Sequence, residues 1–149
     1  MGETIAIGST TGYLATPEKG AGPALIVIGD RDHCDDFAEE GFTALAPELQ
    51  NGHTPEELGA AIDVLKPHPA VRGHGVGVVG YSAGAELALQ LATQRPGDVV
   101  ACAAVEGNFG EDEPDHPPEL CVEFITANLE DDDRLVWIRT LEFLRKHLG

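Results

Sequence analysis

Basic, aromatic and sulfur-bearing residues are all scarce in this sequence. Lysine plus arginine number nine against 26 acids, a formal net charge of −17 over 149 residues. The only lysines are Lys19, Lys66 and Lys146. A polyanion of this kind is repelled by phosphate backbones and anionic bilayers, so neither nucleic acid nor a membrane is expected as a partner. An acid-rich, lysine-poor composition fits adaptation to salt, and equally fits a plain solubilising surface. The three cysteines, Cys34, Cys102 and Cys121, are odd in number and show no CxxC or Cys/His ligand spacing. That excludes a disulfide framework and a structural zinc motif, and it makes a reducing cytoplasm the expected location. No stretch is long and apolar enough to span a bilayer, and Met1-Gly2-Glu3-Thr4 lacks the basic residues of a secretory leader. Aromatic residues make up only 5%, so a core must be built from Val, Leu, Ile and Ala.

The chain does have 42% apolar residues, enough for one domain over residues 1–149. Short apolar runs alternate with amphipathic ones, the signature of βαβ units and a mostly parallel sheet. Residues Thr4–Gly8 and Gly12–Thr16 read as an N-terminal antiparallel hairpin around Ser9-Thr10-Thr11. Ala24–Ile28 is a continuous apolar run, as expected of a strand covered on both faces. A short helix over Asp35–Glu40 should stop at Gly41, before a strand over Phe42–Ala46. Thr54, Pro55 and Glu57 form a capping box for a second helix, with Leu58, Ala61, Ile62 and Leu65 on one face. A strand over Gly75–Val79 runs into Gly80, and a helix over Ala85–Gln94 follows with Leu87, Ala88 and Leu91 inward. Val99–Val105 and Cys121–Ile125 are further strands, separated by a polar loop with three prolines. The last helix, about Asp131 to Leu148, closes on Arg145, Lys146 and His147, which suits its dipole. Its expected buried stripe is Leu135, Ile138, Leu141 and Leu144.

In a parallel sheet the loops after the strands open together on the carboxyl edge, where ligands bind. One of them here is Gly80-Tyr81-Ser82-Ala83-Gly84, a G-x-S-x-G between a strand and a helix. The glycines permit a sharp turn, and the serine hydroxyl at its apex is a candidate nucleophile. The Ala83 amide, at a helix N-terminus, is a candidate oxyanion donor, with Tyr81 beside it as a substrate-binding candidate. The loop after Ile28, beginning Gly29-Asp30, is the natural source of a second amide. The plainer alternatives are a structural turn that happens to hold a serine, and an ordinary βα connection. Nothing in these motifs calls for a cofactor or a metal. A ligand set of His33, Asp32 and Asp35 matches no firm spacing.

These stretches, in this order, resemble the dienelactone hydrolase family of the α/β-hydrolase superfamily. The similarity runs through Gly12–Pro17, Ala24–Asp30, Phe37–Leu49, Gly77–Gly84 and Trp137–Leu144. It implies a three-layer α/β-hydrolase-like sandwich, mostly parallel with an N-terminal antiparallel hairpin and reduced in size. It also implies hydrolysis of esters or lactones by a nucleophile, an acid and a histidine. Dienelactone hydrolase itself carries cysteine at the elbow; Ser82 stands here, as in the esterase-like relatives. Segments are missing after Asp30, after Asn51, and between Val105 and the last helix. By resemblance the triad acid is Glu113, with Asp112 as its near alternative. The usual histidine position before the last helix holds Thr126-Ala127-Asn128 instead. His116 keeps the order Ser, acid, His, while His33 and His53 lie on the same sheet edge and are the next candidates. His147 suits a helix C-terminus, and His68 and His74 fall at the opposite edge.

Two readings follow. One is a minimal serine esterase with a shallow, open pocket for small-molecule esters or lactones. The other is a non-catalytic hydrolase-like domain that lost its base and serves in binding or dimerisation. The missing segments leave room for a second copy, so a homodimer is compatible with either. The charge makes a prediction of its own: self-repulsion is screened by salt, so the melting temperature should rise with NaCl. A flat or falling melting temperature would remove the case for salt adaptation.

Overall fold

A computed structural model describes residues 2–7, 10–28, 33–47, 55–81, 83–95, 98–105, 121–125 and 133–148. Its elements in chain order are β1 (Gly2–Ile7), β2 (Thr10–Ala15), β3 (Gly22–Ile28), α1 (His33–Glu39), β4 (Thr43–Pro47), α2 (Pro55–Leu65), β5 (Val71–Tyr81), α3 (Ala83–Gln94), β6 (Val99–Val105), β7 (Cys121–Ile125) and α4 (Asp133–Leu148). The seven strands form one sheet in the order β1-β2-β4-β3-β5-β6-β7. β2 is antiparallel to both β1 and β4, and every other pairing is parallel.

Side-chain alternation explains why the strand runs are continuously apolar. Ile26 and Ile28 of β3 point with Val76, Val78 and Cys102 into a cluster closed by Ala61, Ile62 and Leu65 of α2 and Ala88, Leu91 and Ala92 of α3. Leu25 and Val27 point the other way, with Val79, Ala103 and Val105, toward Cys34, Phe37 and Ala38 of α1 and Leu141 and Leu144 of α4. The sheet is therefore sandwiched, α2 and α3 on one face and α1 and α4 on the other, as the resemblance implies. Cys102 acts as apolar filling; burial pushes its thiol up to about 12.

α1 starts earlier than expected, at His33, and stops where expected. Gly41 takes φ of 103°, its N–H bonds Ala38 O at 3.0 Å and Phe42 N–H bonds Phe37 O at 3.1 Å, a Schellman closure. Arg145 of α4 then reaches the Glu40 carboxylate at 2.5 Å. α2 begins at Pro55, and Ala61, Ile62 and Leu65 are fully buried; its expected cap Thr54 lies outside the described residues. The hairpin is tighter than read, with Ile7 opposite Thr10.

β5 is longer than the Gly75 start anticipated. Its pairing with β3 slips between Pro23↔Arg72 and Ala24↔Val76, so the glycine-rich stretch there is an irregular strand.

Two helix faces are corrected. In α3, Leu87 is only half buried and Leu89 is buried in its place. In α4, Leu141 and Leu144 are buried but Ile138 is 39% exposed, and Thr140 is buried instead. At about 100° per residue, Trp137, Thr140, Leu141, Leu144 and Leu148 share one stripe while Ile138 falls to its flank. The side chain of Leu135 is outside the described set.

At the amino end of the sheet, Lys66 after α2 and Arg95 after α3 converge on Asp98, and Arg95 also reaches Asp63 at 2.6 Å. Hydrogen bonds from Lys66, then from Arg95, hold the Asp98 carboxyl below its ordinary range. The stability this gives is present above the ordinary carboxylate pKa and is lost as pH falls through the lowered one. These side chains are partly exposed, so the contribution is small. His68 is half-buried beside them, its Nδ1 accepting the Ala70 N–H at 3.1 Å. Among the described residues, no helix is long and apolar enough to cross a membrane.

Ile26 sits mid-sheet with no solvent exposure. Ile26→Ala should cost about 2–5 kcal/mol, through lost transfer energy and the cavity left behind. Chemical denaturation measures this; an unchanged midpoint would contradict the packing described.

Candidate active site

The parallel registers align the strand ends. Ile28 of β3 pairs with Gly80 of β5, Tyr81 with Val105 of β6, and Val105 with Ile125 of β7. The chain therefore leaves β3, β5, β6 and β7 at adjacent points on one edge, as the sequence implies.

At the centre of that edge, β5 ends at Tyr81 and α3 begins at Ala83. Only Ser82 separates strand from helix. This abrupt junction needs glycine on both sides. A Cβ on Gly80 would lie 2.3 Å from Gly84 O and 2.7 Å from both Ala85 Cα and Ala88 Cβ. A Cβ on Gly84 would lie 2.6 Å from Ile28 O. The contacts are largely with backbone, so they cannot be relieved by a rotamer change. Ala83 opens a 12-residue helix, so its amide belongs to the first turn, whose N–H groups have no intrahelical acceptor. The positive end of the α3 dipole faces the same edge.

Beside the junction stands a stack of rings that the sequence did not announce. His33, the first residue of α1, lies with its ring 4.7 Å from that of Tyr81 and inclined by 25°. The His33 ring is also 5.8 Å from Trp137 of α4, at 21°. Trp137 leans on Phe37 at 4.6 Å, and Phe37 meets Phe42 edge-on at 6.0 Å. The Asp36 carboxylate lies 3.5 Å from His33 Nδ1, and that nitrogen is buried. The His33 side chain is nonetheless 32% exposed, so its accessible surface belongs to its other atoms. Tyr13 OH donates to Asp35 Oδ1 at 2.7 Å, so Asp35 serves to tie β2 to α1. Among the described residues, no three His, Cys, Asp or Glu side chains are grouped to hold a metal ion.

Of the residues singled out in the sequence, Tyr81, Ala83 and His33 are thus brought together at the carboxyl edge. His147 is elsewhere, on the last turn of α4 against Phe143. Ser82, Gly29, Asp30, Asp32, His53, Asp112, Glu113 and His116 lie outside the described residues. The role of Trp137 was missed. Its signal was an aromatic residue near the start of the closing helix in an otherwise aromatic-poor chain.

A sheet ordered 1-2-4-3-5-6-7, helices on both faces and a glycine-flanked strand-to-helix elbow after β5 define an α/β hydrolase. Solved structures share the fold. A provisionally named dienelactone hydrolase from Klebsiella pneumoniae superposes with a TM-score of 0.76 over 99% of each chain, at 16% identity. Est1E from Butyrivibrio proteoclasticus gives 0.58 over 71% of this chain and 51% of its own, at 18% identity. Residues 58–135, just over half of the chain, match the model of the BAAT / acyl-CoA thioester hydrolase C-terminal family, and the chain belongs to that family. It is thereby placed among hydrolase families of the dienelactone hydrolase and thioesterase type. Protein usf of Aquifex pyrophilus is 30% identical over 118 residues, 57% of this chain and 51% of that protein. A provisionally named carboxymethylenebutenolidase of Aquifex aeolicus is 28% identical over the same shares. The chain spans about half the length of these two relatives.

The elbow geometry is testable through its glycines. Gly80→Ala and Gly84→Ala should each destabilise the protein by about 1–3 kcal/mol, because the new methyl overpacks against fixed backbone. Thermal melts that match the wild type for both variants would contradict the close approach of α3 to β3 and β5.

Proposed function

We propose that the chain is a serine hydrolase that cleaves small carboxylic esters, lactones or thioesters through an acyl-enzyme on Ser82. The observation that carries this reading is the junction itself. β5 ends one residue before Ser82 and α3 begins one residue after it, with Gly80 and Gly84 packed against backbone. The family description and the relatives' names support ester or thioester substrates.

In this mechanism Ser82 Oγ attacks the acyl carbonyl carbon while a histidine accepts its proton. The Ala83 amide and an amide of the Gly29-Asp30 segment receive the developing oxyanion. A carboxylate orients the imidazole; His116 with Glu113 or Asp112 is the pair that the resemblance implies. A pocket left open by the segments missing relative to the family would suit small or flexible acyl groups.

A second reading has an observation of its own. Residues 126–132, Thr-Ala-Asn-Leu-Glu-Asp-Asp, join β7 to α4 without a histidine. A chain that lost its base would retain the fold as a binding or dimerisation domain.

Turnover of p-nitrophenyl acetate and labelling by a fluorophosphonate probe separate the two. The serine hydrolase reading expects a single adduct on Ser82 by intact-protein and peptide mass spectrometry. It also expects Ser82→Ala to bring turnover down to background with little change in melting temperature. No adduct, or an adduct elsewhere, would favour the non-catalytic domain.

A further inference from the structure

We infer that this hydrolase selects its substrates by charge, favouring cationic and neutral esters and thioesters and turning away acyl groups on phosphate-bearing carriers such as coenzyme A. This substrate class rests on the serine hydrolase reading above. It sets the chain apart from the description of its family, which names acyl-CoA thioesters. Coenzyme A is a polyanion through its phosphates, and the chain is itself a polyanion with a net charge of −17. What turns that overall charge into selectivity is where the charges lie.

The two edges of the sheet differ in charge. The segments that join the carboxyl ends of β3, β4 and β7 to helices are 29–32, 48–54 and 126–132. Together they hold six acids and one base, Arg31. The segment 106–120, which runs from the carboxyl end of β6 on to β7, adds six acids and no base. The first turns of the four helices begin at the same edge and hold another six acids and one base, Arg134. The segments that lead into the amino ends of β3, β4, β5 and β6 are instead balanced. In 16–21, 40–42, 66–70 and 95–98 there are three acids and three bases.

The bases that could offset the acidic edge are placed away from it. Lys66 and Arg95 are engaged by Asp98 and Asp63 at the amino end, and Arg145 by Glu40. Arg72 stands at the amino end of β5, and Lys146 in the last turn of α4. Asp35, Asp36 and Glu86, by contrast, are exposed in the first turns of α1 and α3. The helix N-termini contribute only about half a positive charge each. They act at short range on an oxyanion, whereas charge on a distant part of the substrate is felt through water. A surface lined by one sign of charge concentrates counter-ions and repels co-ions, changing association by about 10- to 1,000-fold at low salt.

The test uses the full chain and three acetyl thioesters whose released thiol is read by one disulfide reagent. Acetylthiocholine is the cation, S-(2-hydroxyethyl) thioacetate the neutral ester and acetyl-CoA the polyanion. Between about 10 mM and 1 M NaCl the screening length falls from about 30 to about 3 Å. Over that range kcat/KM, divided by that of the neutral ester, should fall for acetylthiocholine and rise for acetyl-CoA. The two should diverge by about 10-fold or more. Leaving-group reactivity cancels in this comparison, and the neutral ester corrects for any effect of salt on the fold. Removing charge at the acidic edge with Glu86→Gln plus Glu130→Gln should weaken the salt response. Removing the same charge at the amino end with Glu18→Gln plus Glu39→Gln should change it less. A flat response of acetylthiocholine would overturn the inference, as would its rejection while the neutral ester is consumed. A fall for acetyl-CoA, or equal effects of the two variant pairs, would overturn it as well. If none of the three esters is consumed above the Ser82→Ala background, the serine hydrolase reading fails and the substrate class falls with it.

Discussion

Backbone meets backbone where α3 leaves β5, and the rest of the site depends on that contact. Gly84 lies against the Ile28 carbonyl, and Gly80 lies against the start of α3. No side chain fits between them. The helix can therefore begin one residue after the strand ends, and its N-terminus is held at the sheet edge. The contact also locks β3 to β5 at the row where both chains leave the sheet. α1 follows β3 in the chain and packs with α4 on one face of the sheet.

The acidic surface and the aliphatic core reflect separate constraints. Nine basic residues are too few to neutralise 26 acids, and three of them are spent at points where elements join. Lys66 and Arg95 gather α2, α3 and β6 around Asp98, while Arg145 secures α4 to the end of α1. The large acidic excess is carried by a fold whose sheet is covered on both faces by helices. Among the described residues, ring contacts run from Tyr81 at the carboxyl edge through His33, Trp137 and Phe37 to Phe42, which precedes β4 at the amino end of the sheet.

Much of the architecture was legible because its causes are local. Ala24–Ile28 is apolar at every position because both faces of β3 are covered. Gly41 ends α1 because the chain there takes a positive φ, and Pro55 begins α2 because its missing N–H is not needed there. The glycines around Ser82 likewise mark a tight turn, because only glycine lets the strand and helix backbones approach this closely. Where local reasoning slipped, a distant partner had decided the outcome. Ile138 has the character of a core residue, yet α4 rolls so that Thr140 faces the sheet instead. β5 was expected to start at Gly75, and pairing with β3 extends it back to Val71 with a slipped register.

The sequence by itself determined a two-sided parallel sheet, an antiparallel hairpin at its edge and a serine at the apex of a glycine-flanked elbow. Each of these follows from periodicity, turn chemistry or backbone freedom within a few residues. Only the tertiary structure decided which side chains gather beside that elbow. His33, Tyr81 and Trp137 come from α1, β5 and α4, and no periodicity relates them. They meet because parallel strands bring their carboxyl ends into one row, and because α1 and α4 pack on the same face of the sheet.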